Sequence, residues 1–200
     1  PARTWYPSSV GHPCRRFLVW NFIRWQEKAP HDETLQAIFD EGRAHQPSIY
    51  RRLEAMGFEI VRESDRPVQW KIRGGAVISG RPDGRLIGFR GEKYQPSRIL
   101  ELKTMSGFQW DRLHDVDDLR NSDHHWTRSY YAQGQLYCFL EEVPSGVFVL
   151  KNKTTGMLKL LPFERDYGYI NELLQKIEEL QPMVDSGVDP EPIKFDWSVC

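Results

Sequence analysis

The sequence lacks long apolar runs, a disulfide framework and any sizeable net charge, and each absence excludes a class of protein. No run of about eighteen apolar residues occurs, so we expect no transmembrane helix and no membrane partner. Cysteine occurs only at positions 14, 138 and 200, an odd and widely spread set that suits a reducing cytoplasm. The opening PARTWYPSS lacks the basic and apolar regions of a secretory signal, which also favours the cytoplasm, or the host cytoplasm for a viral protein. The net charge of −1 creates no global field for nucleic acid, although it is compatible with a local basic groove.

The composition indicates an ordinary globular protein. With 40% hydrophobic and 28% charged residues among 200, the chain is long enough to bury a core as one domain, 1–200. Periodicity and turn residues predict these segments: helices over about 1–57, a meander of strands over 58–104, a polar loop or short helix over 109–125, a helix over 126–142, a hairpin over 146–164, a helix over 166–184 and a tail over about 185–200. In the first segment, Asp32 and Gly57 should cap a helix that Pro47 kinks or breaks near His45. This order predicts an α/β domain with a mixed sheet.

The stretch ILELKT, residues 99–104, carries two charges within an apolar strand. Because side chains alternate on a strand, Glu101 and Lys103 face the same way, and Leu100 and Leu102 face the other. One interpretation is an edge strand whose polar face lies in water. The other is that a buried site uses both charges, since burying them without a partner is costly.

A second carboxylate, Asp83, lies in the preceding GRPDG turn, one hairpin-like excursion before Glu101. A hairpin can place such residues side by side. Hard divalent cations such as Mg²⁺ are usually held by one or two carboxylates and substrate phosphate oxygens. Two acids with a lysine two residues after the second are therefore the groups that metal-assisted phosphodiester hydrolysis needs.

GRPDG followed by LELKT resembles the PD-(D/E)XK nuclease superfamily, in which Pro82–Asp83 and Glu101–Leu102–Lys103 match the two halves of the motif. The resemblance implies a restriction-endonuclease-like core with a mixed central β-sheet flanked by helices. It also implies Mg²⁺ or Mn²⁺ on Asp83, Glu101 and the Leu102 carbonyl, with Lys103 orienting or activating the attacking water and stabilising the transition state.

Two further stretches resemble the RecB-like exonuclease branch of this superfamily, whose members act on DNA ends, often single-stranded. EGRAHQ resembles its Gly-x-x-His motif, which implies that His45 is an additional metal ligand. YYAQGQLY resembles its Gln-x-x-x-Tyr motif, and Gln133 and Tyr137, four residues apart, share one helix face. The resemblance implies that this pair lies beside the catalytic lysine and contacts DNA.

YPSSVGHPCRRFLVW resembles the N-terminal signature of RecB-like nucleases that carry a four-iron four-sulfur cluster, including CRISPR-associated adaptation nucleases and helicase–nuclease subunits of recombination. Partners of those kinds are implied in addition to DNA. The resemblance assigns Cys14 and Cys200 to a cluster formed where the N-terminal segment and the tail meet. Such a cluster needs four thiolates, so the set is incomplete in this chain. Cys138, in the middle of a predicted helix, is interpreted as a buried apolar residue.

Three alternatives remain open. The chain could be a DNA-binding or scaffold module with little or no catalysis, or an iron–sulfur or other metal-binding structural protein. A separate metal site could form in the polar segment, although a solvated loop is favoured there; its candidate ligands are His114, Asp115, Asp117, Asp118, Asp123, His124 and His125. Trp110 and Trp126 at the ends of that segment could stack on bases of a single strand or pack in the core.

Overall fold

The computed structural model describes residues 4–62 and 67–192. Its strands are β1 (Phe58–Arg62), β2 (Val68–Lys71), β3 (Val77–Gly80), β4 (Gly84–Phe89), β5 (Glu92–Met105), β6 (Ser145–Asn152) and β7 (Leu158–Glu164). Its α-helices are α1 (Pro7–Val10), α2 (Arg15–Ile23), α3 (Glu33–Met56), α4 (Gly107–Arg112), α5 (Val116–Arg120), α6 (His125–Leu140) and α7 (Tyr167–Ser186). Short 3₁₀ turns occupy Trp25–Glu27 and Arg73–Gly75.

Five strands form one mixed sheet in the order β1-β4-β5-β6-β7. Strands β5 and β6 are parallel, and the other neighbours in the sheet are antiparallel. Helix α6 makes the crossover between β5 and β6, as a parallel connection requires. The predicted α/β class with a helix-flanked mixed central sheet is confirmed. The strands predicted over 58–104 are present, but their order as a meander is wrong, because β2 and β3 form a hairpin of their own and β1 pairs with β4.

The two faces of the sheet are covered by different helices. Helix α3 packs Ile49 and Leu53 on the face that carries Leu100 and Leu102. The opposite face packs against α6 and α7, and Phe148 belongs to that larger core. All residues of β6 are buried, as expected for a strand covered on both faces. Strand β5 therefore lies inside the sheet with helices on both sides.

Helix α3 begins and ends where the sequence predicts. The Asp32 carboxylate accepts a hydrogen bond from the Leu35 N–H at 2.7 Å, and Gly57 ends the helix with φ = 102°, a left-handed conformation that favours glycine. The predicted break near His45 is wrong, because the helix runs without interruption through Pro47. Pro47 is exposed, so water can solvate the carbonyl that loses its helical partner.

The polar segment contains two short helices. Ser106 caps α4, and Asp115 and Asp118 form a reciprocal capping box on α5. Their carboxylates are thus used to hold helix ends. Within residues 4–62 and 67–192, none of the helices has the length and apolar character to span a bilayer.

Gly134 lies inside α6 because its neighbours leave no room for a side chain. A Cβ there would stand 2.5 Å from Cζ of Phe148 and 2.9 Å from Cζ of Phe163. We expect Gly134→Ala to lower the free energy of unfolding by about 1–3 kcal/mol through overpacking, although alanine favours helix. Urea unfolding followed by circular dichroism measures this. The control is Gly168→Ala in α7, where a Cβ would meet only the Asp166 carboxylate at 3.4 Å; equal losses in both variants would contradict the packing argument.

Candidate active site

The hairpin of β4 and β5 places Asp83 beside the middle of β5. Gly84 pairs with Leu100, and Asp83 Oδ2 accepts a hydrogen bond from the Leu102 N–H at 2.7 Å. Helix α3 holds the same residue from the other side. Gln46 Nε2 donates to Asp83 Oδ1 at 3.1 Å, and the Tyr50 hydroxyl donates to the Asp83 carbonyl at 2.6 Å. The carboxylate is therefore fixed by a sheet and a helix together.

Glu101 and Lys103 form an ion pair beneath α6, in which Glu101 is buried and Lys103 is partly exposed. Glu101 is fully buried, and Lys103 Nζ donates to Glu101 Oε2 at 3.0 Å and to Gln133 Oε1 at 2.9 Å. The ammonium also lies 5.0 Å from the centroid of the Tyr130 ring. The interpretation of ILELKT as an edge strand with its polar face in water is wrong, because β5 is an inner strand and α6 covers that face.

One oxygen of this site has no partner. Glu101 Oε1 is buried and accepts no hydrogen bond from the part of the chain that the structure describes. Burial raises the pKa of Glu101 to about 8 and also raises the pKa of Asp83. Burial opposes the charge of Lys103, but the carboxylates of Glu101 and Asp83 outweigh it and raise the pKa of Lys103. Two carboxyls that resist ionisation indicate a site that another cation would stabilise.

These residues fit a hard divalent cation. Asp83 and Glu101 supply two carboxylates, and Mg²⁺ commonly takes no more than that from the protein, with water and substrate oxygens completing its shell. Within the described ranges, no three His, Cys, Asp or Glu side chains are grouped so that they could enclose a metal ion. The arrangement thus suits an open cation site and not a closed protein cage.

His45 does not join the two carboxylates. Its Nδ1 lies 3.0 Å from Lys151 Nζ, and its Nε2 lies 3.5 Å from a Glu41 oxygen. The next residue, Gln46, contacts Asp83 instead. A role for His45 as a metal ligand stays a prediction; its Nε2 is buried and has no hydrogen-bond partner among the described residues.

Of the two predicted residues on α6, Gln133 lies at the site and Tyr137 lies in the core. Gln133 accepts the hydrogen bond from Lys103, so it contacts the predicted catalytic lysine directly. Tyr137 is buried and packs against Gly80, and its pKa is raised by burial and by Glu101. Tyr137 therefore lies in the core next to these residues and does not line the opening of the site.

A cleft of about 300 Å³ leads to Asp83 and Lys103. Its walls include Gln46 and Tyr130, neither of which the sequence motifs predict as a site residue. The signal for each is helical spacing: Gln46 lies four residues before Tyr50 on the face of α3 that holds Asp83, and Tyr130 lies three residues before Gln133.

Other predicted site residues lie away from this cleft. Cys14 is half-buried and caps α2, where its Sγ accepts from the Phe17 N–H at 3.4 Å. Cys200 lies outside the described residues, so an iron–sulfur cluster stays a prediction. Cys138 is fully buried, as expected, and burial raises the pKa of its thiol to about 12.

The two tryptophans of the polar segment differ. Trp110 is a packing residue, because its Nε1 donates to the Leu150 carbonyl at 3.2 Å and Lys159 Nζ lies 3.9 Å from its ring centroid. Trp126 is 42% exposed and stacks on His124 with centroids 4.4 Å apart. Trp126 is therefore the more exposed of the two, and Trp110 is partly buried.

Comparison with known proteins supports the fold. No protein-family model matches the sequence, and a search of curated proteins found no match. The alkaline exonuclease LHK-Exo from Laribacter hongkongensis is similar in structure, with a TM-score of 0.59 and 14% identity over 92% of this chain and 89% of that one. Its complex with dAMP gives 0.60 at the same identity and coverage. SSO0001 gives 0.55 and 17% identity over 97% and 89% of the two chains. At these identities the likeness shows the fold alone, and it is consistent with the nuclease-like core that the sequence predicts.

Proposed function

We propose that this protein is a metal-dependent DNA nuclease, an exonuclease acting on DNA ends or single strands. The observation that carries the proposal is the Lys103 ammonium, held between Glu101 and Gln133 and open to the cleft that also contains Asp83. The similarity in fold to an alkaline exonuclease supports it.

Asp83 and Glu101 would hold Mg²⁺ or Mn²⁺, and the Leu102 carbonyl and His45 are further ligands that the resemblance implies. A divalent cation there supplies Lewis-acid stabilisation of charge on the phosphate. Glu101 Oε1, which is buried and unpartnered among the described residues, is an atom that such a cation would stabilise.

The residues of the chain position the other reactants. Lys103 Nζ would hold the attacking water and donate to a phosphate oxygen as negative charge develops there. Hydrolysis forms a bond from the water oxygen to phosphorus and breaks the bond to the leaving oxygen, which takes up a proton. Gln133 fixes the ammonium, and the contacts from Leu102, Gln46 and Tyr50 fix Asp83. Catalysis would thus depend mainly on preorganised charges in a partly buried cleft.

The test is a cleavage assay on end-labelled single- and double-stranded DNA with Mg²⁺, Mn²⁺ or EDTA. We expect shortening of at least one substrate with either metal and none with EDTA, because the two carboxylates would otherwise have no cation through which to act. Salt-sensitive binding without cleavage under every condition would support the DNA-binding module instead. Neither binding nor cleavage would reject both functions.

A further inference from the structure

A second cavity, of about 210 Å³, lies at the N-terminal end of α6, the helix that also carries Gln133. Helix α4, residues 121–124 and the first turn of α6 form it, and Phe108, Arg112 and Thr127 are among its lining residues. No contact described above for catalysis uses it.

Phe108 contributes an exposed aromatic ring to this cavity. Phe108 is 65% exposed, the highest fraction among the large apolar side chains of the described residues. The Arg112 guanidinium lies 4.1 Å from the ring centroid, and the side chains of Gln109 and Asn121 belong to the same wall. Aromatic rings of this kind, with arginine beside them, are surfaces on which nucleobases stack.

The cavity and the Lys103 partner Gln133 lie along the same helix, α6. Thr127, Tyr130 and Gln133 follow one another at three-residue spacing along α6, and a rise of about 1.5 Å per residue puts Thr127 about 9 Å from Gln133 along the axis. Phe108 follows the end of β5 by three residues. Stacked nucleotides advance about 3.4 Å each, so this axial separation corresponds to about three nucleotides of a strand whose phosphate meets Lys103.

The charges favour a base over a phosphate as the occupant. Asp118 and Asp123 line the cavity together with Arg112, and their carboxylates would repel a phosphate group. An uncharged base meets no such penalty and finds amide and carboxylate groups that can hydrogen-bond to its edge.

We propose that this cavity binds one nucleobase of the strand being cleaved, with Phe108 as the stacking surface, within about three nucleotides of the scissile phosphate. The inference rests on the proposed function. It names Phe108 in place of Trp110 as the stacking residue, because Phe108 is highly exposed whereas Trp110 is partly buried and its Nε1 donates to the Leu150 carbonyl.

A binding experiment that combines a protein substitution with an abasic position in the strand tests the proposal in the absence of cleavage. Fluorescein-labelled single strands, each with one abasic site among the first six nucleotides from either end, are titrated in EDTA against wild type and Phe108→Ala. We expect Phe108→Ala to weaken binding of the intact strand about 5- to 150-fold, the range for one stacked base. One abasic position should have a similar effect in wild type and almost none in the variant.

The matched control is Tyr167→Ala. Tyr167 is 63% exposed with the Arg165 guanidinium 4.3 Å from its ring centroid, and Arg165 contacts the Cys138 carbonyl near the far end of α6. We expect this variant to bind like wild type and Phe108→Trp to restore binding. If Phe108→Ala binds all strands like wild type, or if no abasic position couples to it, the inference fails while the nuclease assignment stands. Wild type that neither binds nor cleaves DNA would remove the proposed function itself.

Discussion

Replacing Lys103 by alanine is expected to lower the rate of DNA cleavage by about 10²- to 10³-fold, the usual cost of removing one donor that stabilises transition-state charge. The ammonium donates hydrogen bonds to both Glu101 and Gln133 at the cleft. Single-turnover kinetics with saturating enzyme measure this, because they report the chemical step without product release.

Two controls separate chemistry from folding in this experiment. Lys93→Ala removes an exposed lysine from the same strand and should cleave like wild type. Lys103→Ala leaves Glu101 buried without its ion-pair partner, so circular dichroism and DNA binding must show that the variant is folded. A folded Lys103→Ala protein that cleaves at the wild-type rate would show that the lysine is not catalytic.

Strand alternation was enough to predict which residues of β5 share a face, and the hairpin-like excursion expected between Asp83 and Glu101 is present as β4 and β5, which turn at Arg90 and Gly91. Both are local properties, set by the two-residue period and by Gly and Pro. What covers each face is not local. The same ILELKT pattern suits an edge strand, and only the packing of α6 over Glu101 turns it into a buried pair. The cost of burying these charges is offset by contacts from residues some 30 positions away.

Helix phase explains where the sequence predictions and the structure differ within the site. Neighbouring residues on a helix point about 100° apart, so a motif can identify the right turn of α3 without deciding whether His45 or Gln46 meets Asp83. On α6 the two motif residues share a face, but they lie one turn apart: Gln133 reaches Lys103, whereas Tyr137 packs against Gly80. Phe108 gives no signal in the sequence, because its exposure depends on how α4 is placed after β5.

Glu101→Gln is expected to abolish metal-induced stabilisation together with cleavage. Glutamine keeps the shape of the side chain and an oxygen for Lys103, but it removes the negative charge that a divalent cation would need. A ligand that binds only the folded state stabilises it by about 2.7 kcal/mol at a hundred times its dissociation constant. Thermal unfolding with increasing Mn²⁺ should therefore shift the melting temperature of wild type upward and leave that of the variant unchanged.

The same titration decides which other residues hold the cation. Glu92→Gln, an exposed change on the same strand, should show the full wild-type shift. His45→Gln tests the additional ligand directly: a reduced shift would assign the imidazole to the metal, and a full shift would leave it with Lys151 and Glu41, where the structure places it. A Glu101→Gln protein that still gains the full stabilisation from Mn²⁺ would place the cation elsewhere, and the unpartnered Oε1 would then need another explanation.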